Sequence, residues 1–279
     1  MSKFDPVTMD LPETDPAYPS TLIPFTFESK GQKLLARFMV AAGKGPHPVA
    51  IILHGFPGNE PNFDVGHALR RAGWNCLFFH YRGAWGSPGK FSFENALEDG
   101  LSAVDFVASP EAADEFRCDP AKIMIVGHSM GGFIGLHTAA KDRRVSGVAT
   151  IGAFNFGAFG KWLRQSQDNV AFAVDSFRYS VRPVQGTTAE ELIQSSMENI
   201  EKWDLELLGD AVRKTPLLIQ YGTRDVVSIP ESHHHSLMKA LSENRVASLQ
   251  EKAYDCDHMF LQVRMALCRQ IVDWSTTLL

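Results

Sequence analysis

The sequence predicts an α/β protein: a doubly wound, mostly parallel sheet of eight strands carrying a helical insertion. Three observations point there. Short apolar runs alternate with amphipathic segments from residue 49 to the C-terminus, and that alternation breaks between residues 154 and 213. The apolar run Ile123-Met124-Ile125-Val126 ends in Gly127-His128-Ser129-Met130-Gly131 and continues into Gly132-Phe133-Ile134-Gly135-Leu136, which reads as strand, sharp turn, helix. With 279 residues, 44% hydrophobic and 21% charged, the chain is long enough for one large domain with a substantial core.

In order, residues 1–20 contain Pro12, Pro16 and Pro19, which block regular structure, so an extended arm over the surface is expected. Residues 22–28 and 34–40 flank the turn Ser29-Lys30-Gly31-Gln32 and read as an antiparallel hairpin. Residues 49–53 are wholly apolar, as in strands covered on both faces, and the sheet becomes parallel there. A helix at 62–72, a strand at 75–80, a helix at 93–108, the strand at 123–126 with its following helix, and a strand at 148–151 complete the first wind. Such alternation implies right-handed crossovers. The insertion, with an amphipathic helix at 189–203, separates this part from strands at 216–221 and 247–254 and a last helix at 260–277. The expected division is a core of residues 1–153 and 214–279 and a helical cap of 154–213, hung over the carboxyl ends of the strands, where open α/β sheets bind ligands.

Composition removes several function classes. The net charge is −5 and no basic stripe is interleaved with aromatics, so nucleic-acid binding is not expected. No run of about eighteen apolar residues is present and residues 1–10 lack an apolar signal core. A cytoplasmic protein without stable membrane insertion is therefore expected. Cys76, Cys118, Cys256 and Cys268 lack C-x-x-C spacing, which favours reduced thiols over a disulfide frame or a zinc site. No G-x-G-x-x-G follows a strand and no P-loop appears, so no cofactor is expected. The triplet His233-His234-His235 invites a metal reading, but consecutive residues on a helix point in different directions, and no metal is expected.

The chemistry gathers around Ser129. A serine hydroxyl is a weak nucleophile unless the chain thrusts it out of the backbone toward a general base, and a glycine-flanked turn between strand and helix does this. Asp225 follows the strand at 216–221 and His258 follows the strand at 247–254, so Ser129, Asp225 and His258 are expected at one sheet edge in the order nucleophile, acid, base. Asp175, Asp204, Asp255 and Asp257 are also available carboxylates, and only sheet position favours Asp225. Asp257 could tune its neighbour His258.

With His54-Gly55-Phe56-Pro57-Gly58 directly after the strand at 49–53, four motifs in this order and location resemble the α/β-hydrolase superfamily, from about residue 22 to the C-terminus. Tyr81-Arg82-Gly83, Gly86-Ser87-Pro88-Gly89 and Ala96-Leu97-Glu98-Asp99 look like its prolyl-oligopeptidase-like branch and the small bacterial esterases related to it. The resemblance implies that the backbone N–H groups of Phe56 and Met130 form an oxyanion hole and that an acyl-enzyme forms on Ser129. The chain has no room for the propeller that screens peptides in that branch, which leaves the substrate class open.

Carboxylic esters of small or medium acyl or aryl groups are the first expectation. Short peptides are the second, with thioesters or acyl transfer behind them. A non-catalytic binding protein of this fold would normally lack one of the three residues, and none is missing. Phe56, His128, Phe154, Phe156 and Trp162 are the expected substrate-lining residues. The remaining aromatics of the insertion, Phe159, Phe172, Phe177 and Tyr179, are expected mainly to pack it onto the sheet. His54 is expected to brace the oxyanion loop and Arg82 to pair with Asp99. The expected partner is a small-molecule ester or short peptide, with homo-oligomerisation left open.

Overall fold

Eight strands form one sheet in the order β1-β2-β4-β3-β5-β6-β7-β8. They are β1 (Thr21–Ser29), β2 (Gln32–Val40), β3 (His47–Leu53), β4 (Asn75–Phe79), β5 (Cys118–His128), β6 (Val145–Ile151), β7 (Leu217–Gly222) and β8 (Leu249–Tyr254). β1 and β2 form the hairpin, β2 pairs antiparallel with β4, and every later pairing is parallel. The computed structural model describes residues 4–12 and 15–279. What the sequence suggests for residues 1–3 and 13–14 lies outside the described residues.

The apolar runs are buried on both faces because each strand feeds two cores with period two. Ile51, Leu53, Ile125, Val148, Leu217 and Ile219 join one cluster. Their neighbours Ala50, Ile52, Met124, Val126, Ala149 and Leu218 join the other. The first cluster is covered by α2 (Phe93–Val107), α3 (Pro110–Phe116), α4 (Met130–Lys141) and α8 (Ser236–Glu243), and the second by α1 (Phe63–Arg71) and α9 (Arg264–Ser275). Burying one Ile or Val side chain this way stabilises the fold by about 2 kcal/mol. Serines start the helices: Ser92 Oγ accepts the Asn95 N–H at 3.0 Å for α2, and Ser109 Oγ accepts the Ala112 N–H at 3.2 Å for α3, with Pro110 in the first turn.

Three departures from the sequence reading have physical causes. The described part of the arm is not extended. It turns at Asp5, buries Val7 against the α1–α9 face, and is held by the Arg71 Nε–H to Pro6 carbonyl bond of 2.6 Å. β5 is much longer than the apolar run at 123–126, because strand pairing to β3 extends back to Cys118. The amphipathic pattern at 189–203 divides: α7 (Ala189–Glu198) ends at Asn199, and the chain leaves the helix so that Trp203 can bury fully in the main core.

Between β6 and β7 lie α5 (Phe156–Leu163), α6 (Gln167–Ser180), α7 and a 3-10 turn at Leu205–Leu208. Phe156, Leu192, Trp203 and Leu205 belong to the main core, while Leu163, Ala173 and Ile193 make a small cluster of their own. Arg82 pairs with Asp99 as expected: its Nε donates to Asp99 Oδ1 at 2.6 Å and its backbone N–H to Oδ2 at 2.8 Å.

Candidate active site

Ser129 sits between β5 and α4 with φ 55° and ψ −116°, a conformation costly to any residue with a Cβ and held only by its surroundings. Those surroundings explain the neighbouring glycines. A Cβ on Gly127 would lie 2.2 Å from the Gly131 carbonyl oxygen, and one on Gly131 would lie 2.0 Å from that of Leu53. The Ser129 N–H donates to Ile151 O at 2.9 Å, and its carbonyl accepts from Gly132 and Phe154. The turn is thus hydrogen-bonded to β6 and the loop after it, and packs closely against the end of β3.

Asp225 and His258 meet beyond the ends of β7 and β8. His258 Nδ1 lies 2.7 Å from Asp225 Oδ2, and the carboxylate side chain is only 1% exposed. Asp225 Oδ1 accepts the N–H groups of Val227 and Ser228, both at 2.8 Å. Burial pushes this carboxyl's pKa up, but the His258 hydrogen bond, its charge and the two amides outweigh burial and hold it below the ordinary 3.8. The Asp225–His258 pair therefore arrives with its carboxylate ionised and its imidazole oriented. The competing carboxylates are engaged elsewhere: Asp204 with Lys161 and Asn155, Asp255 with Arg224, Asp175 with Arg178, and Asp257 with the Met259 N–H.

Ser129 and His258 are joined through their neighbours. His128 Nε2 donates to the His258 carbonyl at 2.9 Å, and Gly152, one residue after β6, packs against both Asp225 and His258. Ser129 Oγ and His258 Nε2 share no hydrogen bond and have no protein partner among the described residues.

The loop after β3 runs directly over the serine, with the ideal Cβ position of Gly55 only 3.0 Å from Ser129 Cβ. His54 Nδ1 lies 2.7 Å from the Gly55 carbonyl, and burial lowers the His54 pKa to about 3, so the ring is neutral and its Nδ1–H braces the loop. The N–H groups of Phe56 and Met130 donate to nothing among the described residues.

The expected substrate-lining residues divide. Phe56 is half-buried, its ring 5.3 Å from those of Phe91 and Phe177. Phe154 is half-buried with its ring 4.5 Å from that of His233. Trp162 stacks on Phe159 at 5.8 Å, within the small cluster of the insertion. Phe156 is placed in the core instead, 2% exposed and 4.2 Å from Phe93 by ring centroids, because it is the residue that docks α5 on the sheet. His128 is likewise 4% exposed, its ring committed to the His258 carbonyl.

The three consecutive histidines separate. His233 Nδ1 accepts the Asn155 N–H at 2.9 Å, His234 Nε2 lies 2.7 Å from Glu251 Oε1 and stacks on Tyr221, and His235 lies edge-on to Tyr221. Among the described residues no group of three or more His, Cys, Asp or Glu side chains is placed to hold a metal. All four cysteines are buried and unpaired. Two residues of the site escape the sequence reading. Ser228 caps Asp225 and donates its Oγ to Gly152 O at 2.9 Å, and the Asp-x-x-Ser spacing of a side-chain-to-backbone turn was the available signal. His233 is the other, hidden because it precedes a helix with no strand end to mark it.

A mostly parallel sheet with a strained serine at a strand-to-helix turn, and an Asp–His pair beyond the ends of two later strands, has the architecture of the doubly wound hydrolase class. Residues 48–237 match the family model for the alpha/beta hydrolase fold, and the chain belongs to that family. It is 27% identical over 218 residues to the acylamino-acid-releasing enzyme of Arabidopsis thaliana, covering 71% of this chain and 26% of that one. The chain matches less than half the length of the curated relatives most similar to it. Among solved structures, its fold is similar to the acylaminoacyl peptidase of Pyrococcus horikoshii, with TM-score 0.68, 15% identity, and coverage of 92% of this chain and 41% of that one. It is also similar to the monoacylglycerol lipase of Paleococcus ferrophilus, with TM-score 0.63, 18% identity, and coverage of 88% and 99%. Membership of the family assigns the alpha/beta hydrolase fold to residues 48–237. No helix of the described residues is long and apolar enough to cross a membrane.

Proposed function

We propose that this chain is a serine hydrolase that cleaves carboxylic esters of small or medium acyl or aryl groups through an acyl-enzyme. The observation that carries this reading is the Asp225–His258 pair at 2.7 Å, with the His258 carbonyl held by His128, the residue before Ser129. In the proposed mechanism His258 Nε2 takes the Ser129 proton as Oγ attacks the acyl carbon. The proton then passes to the leaving alkoxide, and water attacks the acyl-enzyme with His258 as base again. Asp225 stays ionised and stabilises the imidazolium. The N–H groups of Phe56 and Met130 are proposed to hold the tetrahedral oxyanion, each contributing about 3 kcal/mol to lowering the barrier.

We assign α5, α6 and α7 the role of a cap over the serine. Ester over peptide is favoured by the rings beside Ser129: Phe56, Phe154, Phe159 and Phe177 are apolar and bring no carboxylate to hold a free α-ammonium group. The second reading, a peptidase acting on short peptides, is favoured by the likeness to the acylamino-acid-releasing enzyme.

The test is a parallel screen of p-nitrophenyl esters of increasing chain length, hydroxycinnamate esters and aminoacyl-nitroanilides, with an organophosphonate as active-site label. Ester turnover is expected to exceed anilide turnover, with stoichiometric labelling. Ser129→Ala is expected to lose roughly six orders of magnitude in kcat and all labelling. Faster anilide turnover would select the peptidase, and labelling that survives Ser129→Ala would remove the serine assignment altogether.

A further inference from the structure

Five rings form an arc beside Ser129. It starts at Phe56, next to the loop glycine that touches the serine, crosses to Phe177 of α6 at 5.3 Å, then Phe159 of α5 at 6.1 Å, then Phe154 at 5.3 Å, and closes on His233 at 4.5 Å. Two members are anchored at the elbow: Phe56 follows Gly55, whose ideal Cβ position lies 3.0 Å from Ser129 Cβ, and the Phe154 N–H bonds to the Ser129 carbonyl at 3.1 Å. The four phenylalanines are half-buried, packed on one side against the main core and open to solvent on the other.

His233 is the polar member of this arc, and the proposed triad does not use it. It lies in a π-helical turn, Pro230–His235, a local irregularity that proteins often keep where a side chain must be aimed. Its tautomer is set by the backbone. The Asn155 N–H donates to Nδ1 at 2.9 Å, which leaves the ring proton on Nε2. Asn155 cannot shift to relax this bond, since its own Oδ1 accepts from Gly157, Ala158 and Leu205 and its Nδ2 donates to Asp204.

Nε2–H has no protein acceptor among the described residues, yet it is not among the polar atoms sealed from solvent, although His233 as a whole is only 6% exposed. A buried imidazole whose free donor reaches solvent, with Asp225 and His258 as its charged neighbours, is placed to bind an acceptor. Burial also lowers the ring's pKa to about 4, opposed by the Asp225 charge, so it stays neutral and cannot repel the imidazolium formed on His258.

We propose that His233 Nε2–H is a specificity-determining hydrogen-bond donor, selecting acyl groups that carry an uncharged acceptor oxygen along an otherwise apolar chain or ring. The inference rests on the ester reading above and deepens it. A neutral donor among four phenylalanines discriminates against an all-carbon acyl group, which leaves Nε2–H dry and unpaired, and gives a protonated amine nothing to bind.

The test compares kcat/KM for p-nitrophenyl esters of 4-, 5- and 6-oxoalkanoates with that for the parent alkanoates of equal length. At least one oxo ester is expected to exceed its parent by about tenfold. His233→Asn keeps an acceptor where Nδ1 stands and removes the donor, and is expected to bring that ratio to about one. His233→Gln retains a donor near the Nε2 position and is expected to keep the preference in part. A merely structural role would change both esters together and leave the ratio alone. Parent esters turned over with no oxo preference anywhere in the series would overturn the role of His233 only, whatever the variants do. Persistence of the preference in His233→Asn would do the same. Failure of every ester together with failure of phosphonate labelling would remove the ester reading beneath it.

Discussion

His128 Nε2–H donates to the backbone carbonyl of His258 at 2.9 Å, with the two rings 5.0 Å apart. The residue before the candidate nucleophile therefore fixes the main chain of the candidate base. In the proposed mechanism it must do so without charge, because His258 would become cationic on taking the serine proton. Burial, with His258 next in importance, lowers the His128 pKa to about 3 and keeps it neutral. His128→Phe removes the strut and keeps the bulk. A displacement of the base by about 1 Å costs on the order of a hundredfold in rate, so kcat for a p-nitrophenyl ester is expected to fall about that much, with KM within about twofold. Stopped-flow and steady-state assays on the same preparation separate the two. An unchanged kcat would show that the loop holds His258 without help.

Ser129 stores backbone strain that its side-chain chemistry requires. Its φ of 55° and ψ of −116° suit glycine, and a Cβ there costs about 1–3 kcal/mol. Glycine gives back about 0.5–1 kcal/mol through the greater freedom of its unfolded chain. Ser129→Gly is therefore expected to be about 1 kcal/mol more stable than Ser129→Ala in urea denaturation, with both inactive. Equal stability of the two variants would mean that the turn relaxes once the hydroxyl is gone.

Much of this arrangement is legible in the chain because it obeys short-range rules. The order of strands and helices follows from hydrophobic period, and Ser129, Asp225 and His258 stand out as candidates because each directly follows or lies within a few residues of a strand end. What was hidden depends on packing across the fold. Phe156 and Phe154 look alike in sequence, yet one is sealed between Phe93 and Phe133 and the other borders the site. Which of them faces the recess is decided by the angle at which α5 leaves Asn155, and no periodicity encodes that angle. His233 lay within a triplet that drew a metal reading, and only the Asn155 N–H that fixes its tautomer separates it from its neighbours.

Arg82 and Asp99 form a buried ion pair between β4's loop and α2, extended by Ser29 Oγ to Asp99 Oδ1 at 2.6 Å and by Glu98 to Arg82 at 2.6 Å. The pair itself contributes little net stability, but losing one member strands the other. Arg82→Ala leaves the fully buried Asp99 carboxylate without its cation and is expected to cost about 3–5 kcal/mol. Arg82→Ala with Asp99→Ala should recover a large part of that. A double variant no more stable than the single one would mean that Arg82 acts through packing of its stem rather than through Asp99.

Acid should unfold this protein through its histidines. His54, His128 and His137 are buried, and burial lowers each pKa from 6.5 to about 3. Folded, they stay neutral down to about pH 3. Unfolded, each takes up a proton below about 6.5. Between those values the unfolded state binds more protons, so stability is present above pH 6.5 and is lost as pH falls. These three groups alone contribute about 4 kcal/mol per pH unit to the slope near pH 5, and His80 and His233, lowered to about 4, add to it. His137 offers the cleanest probe, because its ring packs 4.5 Å from Phe133 and it lies outside the site. His137→Phe is expected to lower the slope of unfolding free energy against pH by about 1.4 kcal/mol per pH unit between pH 6 and 4.5. Urea midpoints that stay level from pH 7 to 5 in the parent chain would show that these rings accept protons in the folded state.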